Sequence, residues 1–217
     1  MYETELKIMK PTVKAYAKKH HMDTIFITER FDSGRPASWD KIIILYNLLK
    51  HYDIVMWIDA DAIFLDTSLD IRNQLNEDHV MFMVTHYGRS PIWPNGGLIV
   101  AKKNKKTFDL LNKIWNKTDV IDHPWWEQQA IINVLGYENS YHDIISYHPN
   151  KYSNLIGMLD LRWNSRPLDG DLAENPIIMH YCGLPHEIRI NKMVSCYRIF
   201  KNRKRLDKYR KYNSQLR

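Results

Sequence analysis

A short apolar run that ends in two acids constrains this chain more than any other feature. Ile54-Val55-Met56-Trp57-Ile58 is followed by Asp59-Ala60-Asp61 and then by Ala62-Ile63-Phe64-Leu65. An apolar stretch of this length between polar residues predicts a strand over 53–58, buried on both faces as in parallel sheets. Such a strand needs helices to cover it, which points to an α/β architecture. It also delivers its acids at its carboxyl end, where open α/β sheets bind ligands. Asp59 and Asp61 are separated by one residue, so on a continuing strand their side chains share a face. Two carboxylates that close repel unless a proton or cation comes between them. Hard oxygen donors suit Mn²⁺ or Mg²⁺, which also bind diphosphates. The plain alternative is a pair of solvated acids in a turn, but the apolar residues on both sides argue against it.

The remaining pattern supports the same class. A helix is predicted over 2–20, with Leu6, Met9, Val13 and Ala17 on one face and a kink at Pro11. The β-branched stretch 24–28 reads as a short strand and 30–37 as a loop. Ser38 can cap a helix that reaches to about residue 50 and turns Ile42, Leu45, Leu48 and Leu49 inward. Strands follow over 80–85 and 97–101, with a turn at 91–94 before the second. Helices are predicted over 104–117 and 124–135, and short strands over 144–147 and 177–180. Residues 151–175 lack periodicity and read as one long loop. The alternation predicts a single α/β domain with helices on a mixed, mainly parallel sheet.

Composition narrows the setting. Cys182 and Cys196 are the only cysteines of 217 residues, which argues against a disulfide framework and fits a reducing compartment. No apolar run is long enough to span a bilayer, and Met1 leads straight into a polar amphipathic stretch. A soluble, cytoplasmic chain without signal or anchor is therefore expected. The formal charge of +6 is unevenly spread: residues 198–217 hold nine basic residues and one acid, net +8, which leaves −2 for the rest. This basic tail reads first as a solvated helix; the sharper reading is peripheral contact with an anionic membrane surface, a partner or a ligand's phosphates. No nucleic-acid-binding motif accompanies the charge, so no nucleic-acid partner is expected. Trp and Tyr, at 7 and 13, are plentiful enough to suit stacking on sugar rings as well as core packing.

Four blocks in order give the chain a resemblance to the GT-A glycosyltransferases. They are Trp39-Asp40-Lys41, Trp57-Ile58-Asp59-Ala60-Asp61, Pro94-Asn95-Gly96-Gly97-Leu98, and the pair Trp125-Trp126-Glu127-Gln128-Gln129 with Met179-His180-Tyr181-Cys182-Gly183. The likeness is to the galactosyl/xylosyltransferase family of plants and fungi and to small chlorovirus-encoded glycosyltransferases, which admits a viral origin. Glycogenin-like enzymes are more distant. It covers residues 2 to 190 and implies a Rossmann-like GT-A domain over 1–190, with a basic helical tail over 191–217.

The resemblance also implies roles. Asp61 and His180 hold the metal, and Asp59 touches metal, ribose or both. Trp39, Lys41, Asn95, Gly96, Gly97, Gly183, His186 and Arg189 contact a nucleotide-sugar donor. Glu127 and Gln128 lie by the reacting sugar. Each residue has a plainer reading by itself: Lys41 as a surface lysine, Asn95-Gly96 as a turn, Glu127 as an acid at a helix start, His180 as a core histidine. Two departures stand out. The family's lysine three residues after the last glycine is His186 here, so Arg189 is the nearest fixed cation. The family's first strand, which grips the nucleotide base, is expected to be missing, because residues 2–20 match the helix after it.

The implied activity is metal-dependent transfer of a sugar from a nucleoside-diphosphate sugar, UDP-linked by family default, to a glycan or glycoprotein hydroxyl. If configuration inverts, Glu127 is the general base; if it is retained, as in the plant and fungal relatives, Glu127 steadies an oxocarbenium-like sugar. Two rivals remain. Haloacid-dehalogenase-type phosphatases also place an Asp-x-Asp after an apolar strand, and Gly170-Asp171-Leu172-Ala173-Glu174-Asn175 matches their later magnesium-site string. Against this, no apolar strand precedes Gly170. The other rival is a binding module that holds a nucleotide-sugar without turnover.

Overall fold

The computed structural model describes residues 2–32, 34–86, 91–140, 143–167 and 170–214, with backbone only over 204–214. In chain order its elements are α1 (Glu3–Lys19), α2 (Asp40–Leu48), β1 (Ile54–Ile58), β2 (Ala62–Phe64), β3 (Met81–Thr85), β4 (Pro94–Lys102), α3 (Lys105–Trp115), α4 (Trp126–Val134), β5 (Tyr137–Asn139), β6 (Ile144–Tyr147), β7 (Ile156–Met158), β8 (Ile178–His180) and α5 (His186–Ser214). They fall into two compact units. One comprises Met1–Ile25, Asp59–Asp70 and Leu161–Arg217; the other comprises Phe26–Ile58 and Ile71–Asp160.

The second unit is a four-stranded mixed sheet, ordered β1-β4-β3-β7. β4 pairs antiparallel with β1 and β3, and β7 pairs parallel with β3, so β1, β3 and β7 share one direction. β3 is buried along its whole length and β4 along nearly all of it, as their apolar sequences require. Helices α2, α3 and α4 supply Ile42, Leu45, Leu110, Leu111, Ile131 and Ile132 to its core. β1 departs from the expected centrally buried strand. It stands at the end of the sheet, paired to β4, and its first residue, Ile54, is 38% exposed. An end strand has a neighbour on one side, so solvent reaches the other.

The β3–β4 ladder slips at one place. Met83 faces Ile99, but the next residue, Val84, faces Asn95. Residues 96–98 therefore bulge out of that ladder. Glycine suits such a bulge, and a Cβ at Gly96 would lie 3.2 Å from both Gln128 Oε1 and Ile131 Cδ1.

The first unit is built from α1, α5 and the antiparallel pair β2–β8. α1 runs through Pro11 as one helix. Its Tyr16 stacks on Phe64 of β2, with ring centroids 4.2 Å apart, and its Thr12 hydroxyl accepts a hydrogen bond from the Phe64 amide at 3.3 Å. α5 buries Met193, Cys196 and Phe200, and Tyr181 hydroxyl meets Cys196 Sγ at 2.8 Å. The helix is continuous across residues 190 and 191. Among the described residues, no helix is long and apolar enough to cross a membrane.

Two further sequence expectations need correction. Residues 24–28 form no strand, and Ile25 and Ile27 stay 51% and 41% exposed. β-branched residues favour a strand only where a neighbouring strand lines up with them. Residues 151–175 are not one loop: they contain β7, short 3-10 turns at Ser153–Leu155 and Leu161–Asn164, and bridges from Ser165 to Met179 and Arg166 to Asp171. Elements of three or four residues are too short to show a period.

Candidate metal and donor site

In the first unit, the chain makes a tight turn directly after β1. The Ala62 amide donates to Asp59 O at 3.0 Å, so Asp59-Ala60-Asp61 forms a turn and does not continue the strand. The two acids are thus brought together by a turn, not by strand alternation. Ala62 then pairs with His180 across the β2–β8 ladder, and the Tyr181 amide donates to Asp61 O at 3.1 Å. This register sets the imidazole against the acids. One ligand atom from each of Asp59, Asp61 and His180 lies within 4.8 Å of the other two.

The histidine is buried and held in one orientation. His180 is only 2% exposed. Its Nδ1 donates to Asn164 Oδ1 at 2.9 Å, the choice of donor following from the amide oxygen as acceptor. That bond directs Nε2 toward the acids, as the outer partner of a metal-bound histidine does. Nε2 lies 3.2 Å from Asp61 Oδ1 yet makes no well-aligned hydrogen bond. A buried nitrogen without a good partner, facing two carboxylates, fits a divalent cation. Burial by itself disfavours the charged imidazole. The neighbouring Cys182 sulfur and the Asp61 carboxylate outweigh burial and hold the ring's pKa well above the usual value. For Asp61, burial pushes the carboxyl up, but the charge of the His180 ring, 3.2 Å away, with Arg189 beyond, keeps it below the ordinary range.

Of the two residues expected to meet phosphate, Arg189 sits beside this cluster. Gly183, at φ 72°, turns the chain from β8 toward α5, whose first residue is His186. Arg189 Nη1 is 3.9 Å from Asp61 Oδ2. Both side chains meet Glu5 of α1: Arg189 Nη2 at 2.8 Å and His186 Nδ1 at 3.1 Å.

A separate group forms in the second unit. Lys41 Nζ is 2.7 Å from Glu127 Oε1 and donates to Gly96 O at 3.1 Å. Gln128 Oε1 accepts from the Gly96 amide at 2.6 Å, and its Nε2 donates to Pro94 O at 2.7 Å. Asn95 Oδ1 accepts from the Gly97 amide at 3.0 Å, and its amide nitrogen meets His86 Nε2 at 3.2 Å. The structure therefore gathers Lys41, Asn95, Gly96, Gly97, Glu127 and Gln128 around the β4 bulge. Lys41 is buried and ion-paired, not a surface lysine. Trp39 lies elsewhere: it is 0% exposed, packed edge-on to Trp115 in the hydrophobic core.

Glu5, Asn164 and His86 escaped the sequence reading. Glu5 looks like a solvated acid in a first helical turn, and Asn164 lies where no period exists. Nothing in the sequence marks His86. Asp171, the key to the phosphatase reading, is buried in an ion pair with Arg166 at 2.8 Å. It serves as a structural charge partner.

Comparison with known proteins bears on the family and the fold. A sequence model of the family described as nucleotide-diphospho-sugar transferase matches residues 8–187. No curated protein sequence matches the chain. Among solved structures, the chain is similar to a glycosyltransferase involved in the glycosylation of the major capsid of PBCV-1, with 14% identity, 89% of this chain and 94% of that one covered, and a TM-score of 0.63. It is also similar to the galactosyltransferase LgtC, solved with donor and acceptor sugar analogs, with 12% identity, 90% and 91% coverage and a TM-score of 0.53. At these identities the likeness speaks for the fold. The family match spans most of the chain, and the chain therefore belongs to the nucleotide-diphospho-sugar transferases, as a glycosyltransferase of GT-A fold.

Proposed function

We propose that this enzyme moves a sugar from a UDP-sugar to a hydroxyl of a glycan or glycoprotein, and that the transfer depends on Mn²⁺ or Mg²⁺. The observation that carries the reading is the convergence of Asp59, Asp61 and the oriented Nε2 of His180 on one point. A divalent ion there would act as a Lewis acid toward the departing diphosphate. Arg189 and His186 would add positive charge beside it. Asn95, Gly96, Gly97 and Gln128 are proposed to hold the donor sugar at the β4 bulge, where glycine lets a ligand come close to the backbone.

Glu127 is proposed as a fixed negative charge by the reacting sugar. Its Oε1 is already engaged by the Lys41 ammonium, so it suits steadying an electron-poor sugar better than taking a proton from the acceptor. This favours retention of configuration.

A thermal-shift screen of nucleotide-sugars with and without Mn²⁺ tests the proposal. Ligands that bind only the native state raise the melting temperature. At a concentration one hundred times the Kd, the stabilisation is about 2.7 kcal/mol. The expected result is a rise for a UDP-sugar that needs the metal. Equal rises with and without Mn²⁺, or none with any nucleotide-sugar, contradict it.

A further inference from the structure

Arg189, the fixed cation beside the candidate metal cluster, is held by one buried carboxylate. Glu5, in the first turn of α1, is 0% exposed. A charge so buried is tolerated only when paired. Glu5 Oε1 accepts from Arg189 Nε at 3.0 Å, lies 2.8 Å from Arg189 Nη2, and faces His186 Nδ1 at 3.1 Å. Oε2 has no hydrogen-bond partner.

The grip on Arg189 is directional. Glu5 holds the Nε–Nη2 edge of the guanidinium. The remaining nitrogen, Nη1, donates to Leu184 O at 3.3 Å and stands 3.9 Å from Asp61 Oδ2. The Tyr2 ring covers the group, with its centroid 4.8 Å from Cζ. A planar fork fixed along one edge has little freedom at the other. The plain alternative is a staple between α1 and α5. Apolar side chains would join two helices without desolvating charges, and a staple gives no reason for Nη1 to be directed at Asp61.

We propose that Glu5 is a positioning residue: it aims Nη1 of Arg189 at the Asp59–Asp61–His180 cluster, where the guanidinium binds an oxygen of a metal-bound diphosphate. The inference rests on the nucleotide-sugar reading of that cluster. Glu5 itself touches no substrate; it acts through Arg189.

The test is a double-mutant cycle on the full chain, read by calorimetry with Mn²⁺ alone and with Mn²⁺ plus UDP. Glu5→Ala and Arg189→Ala are each expected to weaken UDP binding roughly tenfold to a hundredfold, the range for a lost hydrogen bond to a charged group. The double variant is expected to be no weaker than Arg189→Ala, because Glu5 acts only through that side chain. Affinity for Mn²⁺ alone is expected to change far less than affinity for UDP, because neither residue belongs to the ligand set. Glu5→Gln keeps the volume and one acceptor oxygen, so it preserves the fold if Glu5→Ala does not, with an intermediate loss. UDP affinity within twofold of wild type in both Glu5 variants overturns the inference, as do losses that simply add. If wild type binds Mn²⁺ but not UDP, the nucleotide-sugar reading fails and takes this inference with it. If wild type binds UDP and the Glu5 variants bind it equally well, only this inference fails.

Discussion

Asp61→Ala is expected to abolish metal-dependent binding of a UDP-sugar while the chain stays folded. Asp61 joins the candidate metal cluster to the rest of the first unit: its carboxylate is one proposed ligand, and its backbone oxygen accepts from Tyr181. The substitution removes the carboxylate and keeps the backbone bond, so the β2–β8 register survives. His180 loses the charge that helps hold its proton, and the ring can become neutral inside the protein without leaving a buried charge. The fold therefore has a way to relax, and the metal site does not. Loss of affinity is expected to exceed the roughly tenfold to hundredfold effect of removing an outer partner of a ligand. Calorimetry with Mn²⁺ and a UDP-sugar gives the result, with a thermal melt as the control for folding. Unchanged binding contradicts the assignment.

Lys41→Met is expected to cost about 3–5 kcal/mol of stability, the effect of removing one partner from a buried ion pair. Lys41 is 3% exposed, and the variant strands the buried Glu127 carboxylate. Methionine keeps most of the lysine's length, so little of the loss comes from a cavity. For a chain of this size the melting temperature should fall by roughly 6–20 °C. Adding Glu127→Leu should restore much of the stability, because an apolar pair of similar volume replaces the charges. The same double variant should lack transferase activity, since the proposed negative charge beside the sugar is gone. Denaturant melts and a transfer assay on both variants separate stability from function. A loss below about 1 kcal/mol in Lys41→Met, typical of exposed pairs, contradicts the buried pairing.

The sequence disclosed the chemistry of this site better than its construction. Asp59 and Asp61 were legible because an apolar run frames them, and His180 because it follows a second short apolar run. The way they meet was not legible. The acids come together through a turn closed by the Ala62 amide, and the imidazole arrives by a three-residue ladder too short to show alternation. Lys41 shows a similar limit. Its place in a helix start reads equally well as surface or site, and only the fold reveals a carboxylate 2.7 Å away. Asn164 and Glu5 are invisible to pattern, because what matters is a partner 16 residues away for one and 184 for the other. β1 misled in a different manner. Its apolar composition predicts burial on both faces, but in the sheet it stands at the end, where composition and exposure part company.

The central claim is that Asp59, Asp61 and His180 together hold the divalent ion that the diphosphate binds. A crystal grown with Mn²⁺ and UDP tests it most directly, through the anomalous signal of the metal. The account predicts one strong peak within bonding distance of an Asp59 or Asp61 oxygen and of His180 Nε2, with the diphosphate on its open side. A peak elsewhere, or bound UDP with the imidazole turned away from a metal-free pair of acids, contradicts it.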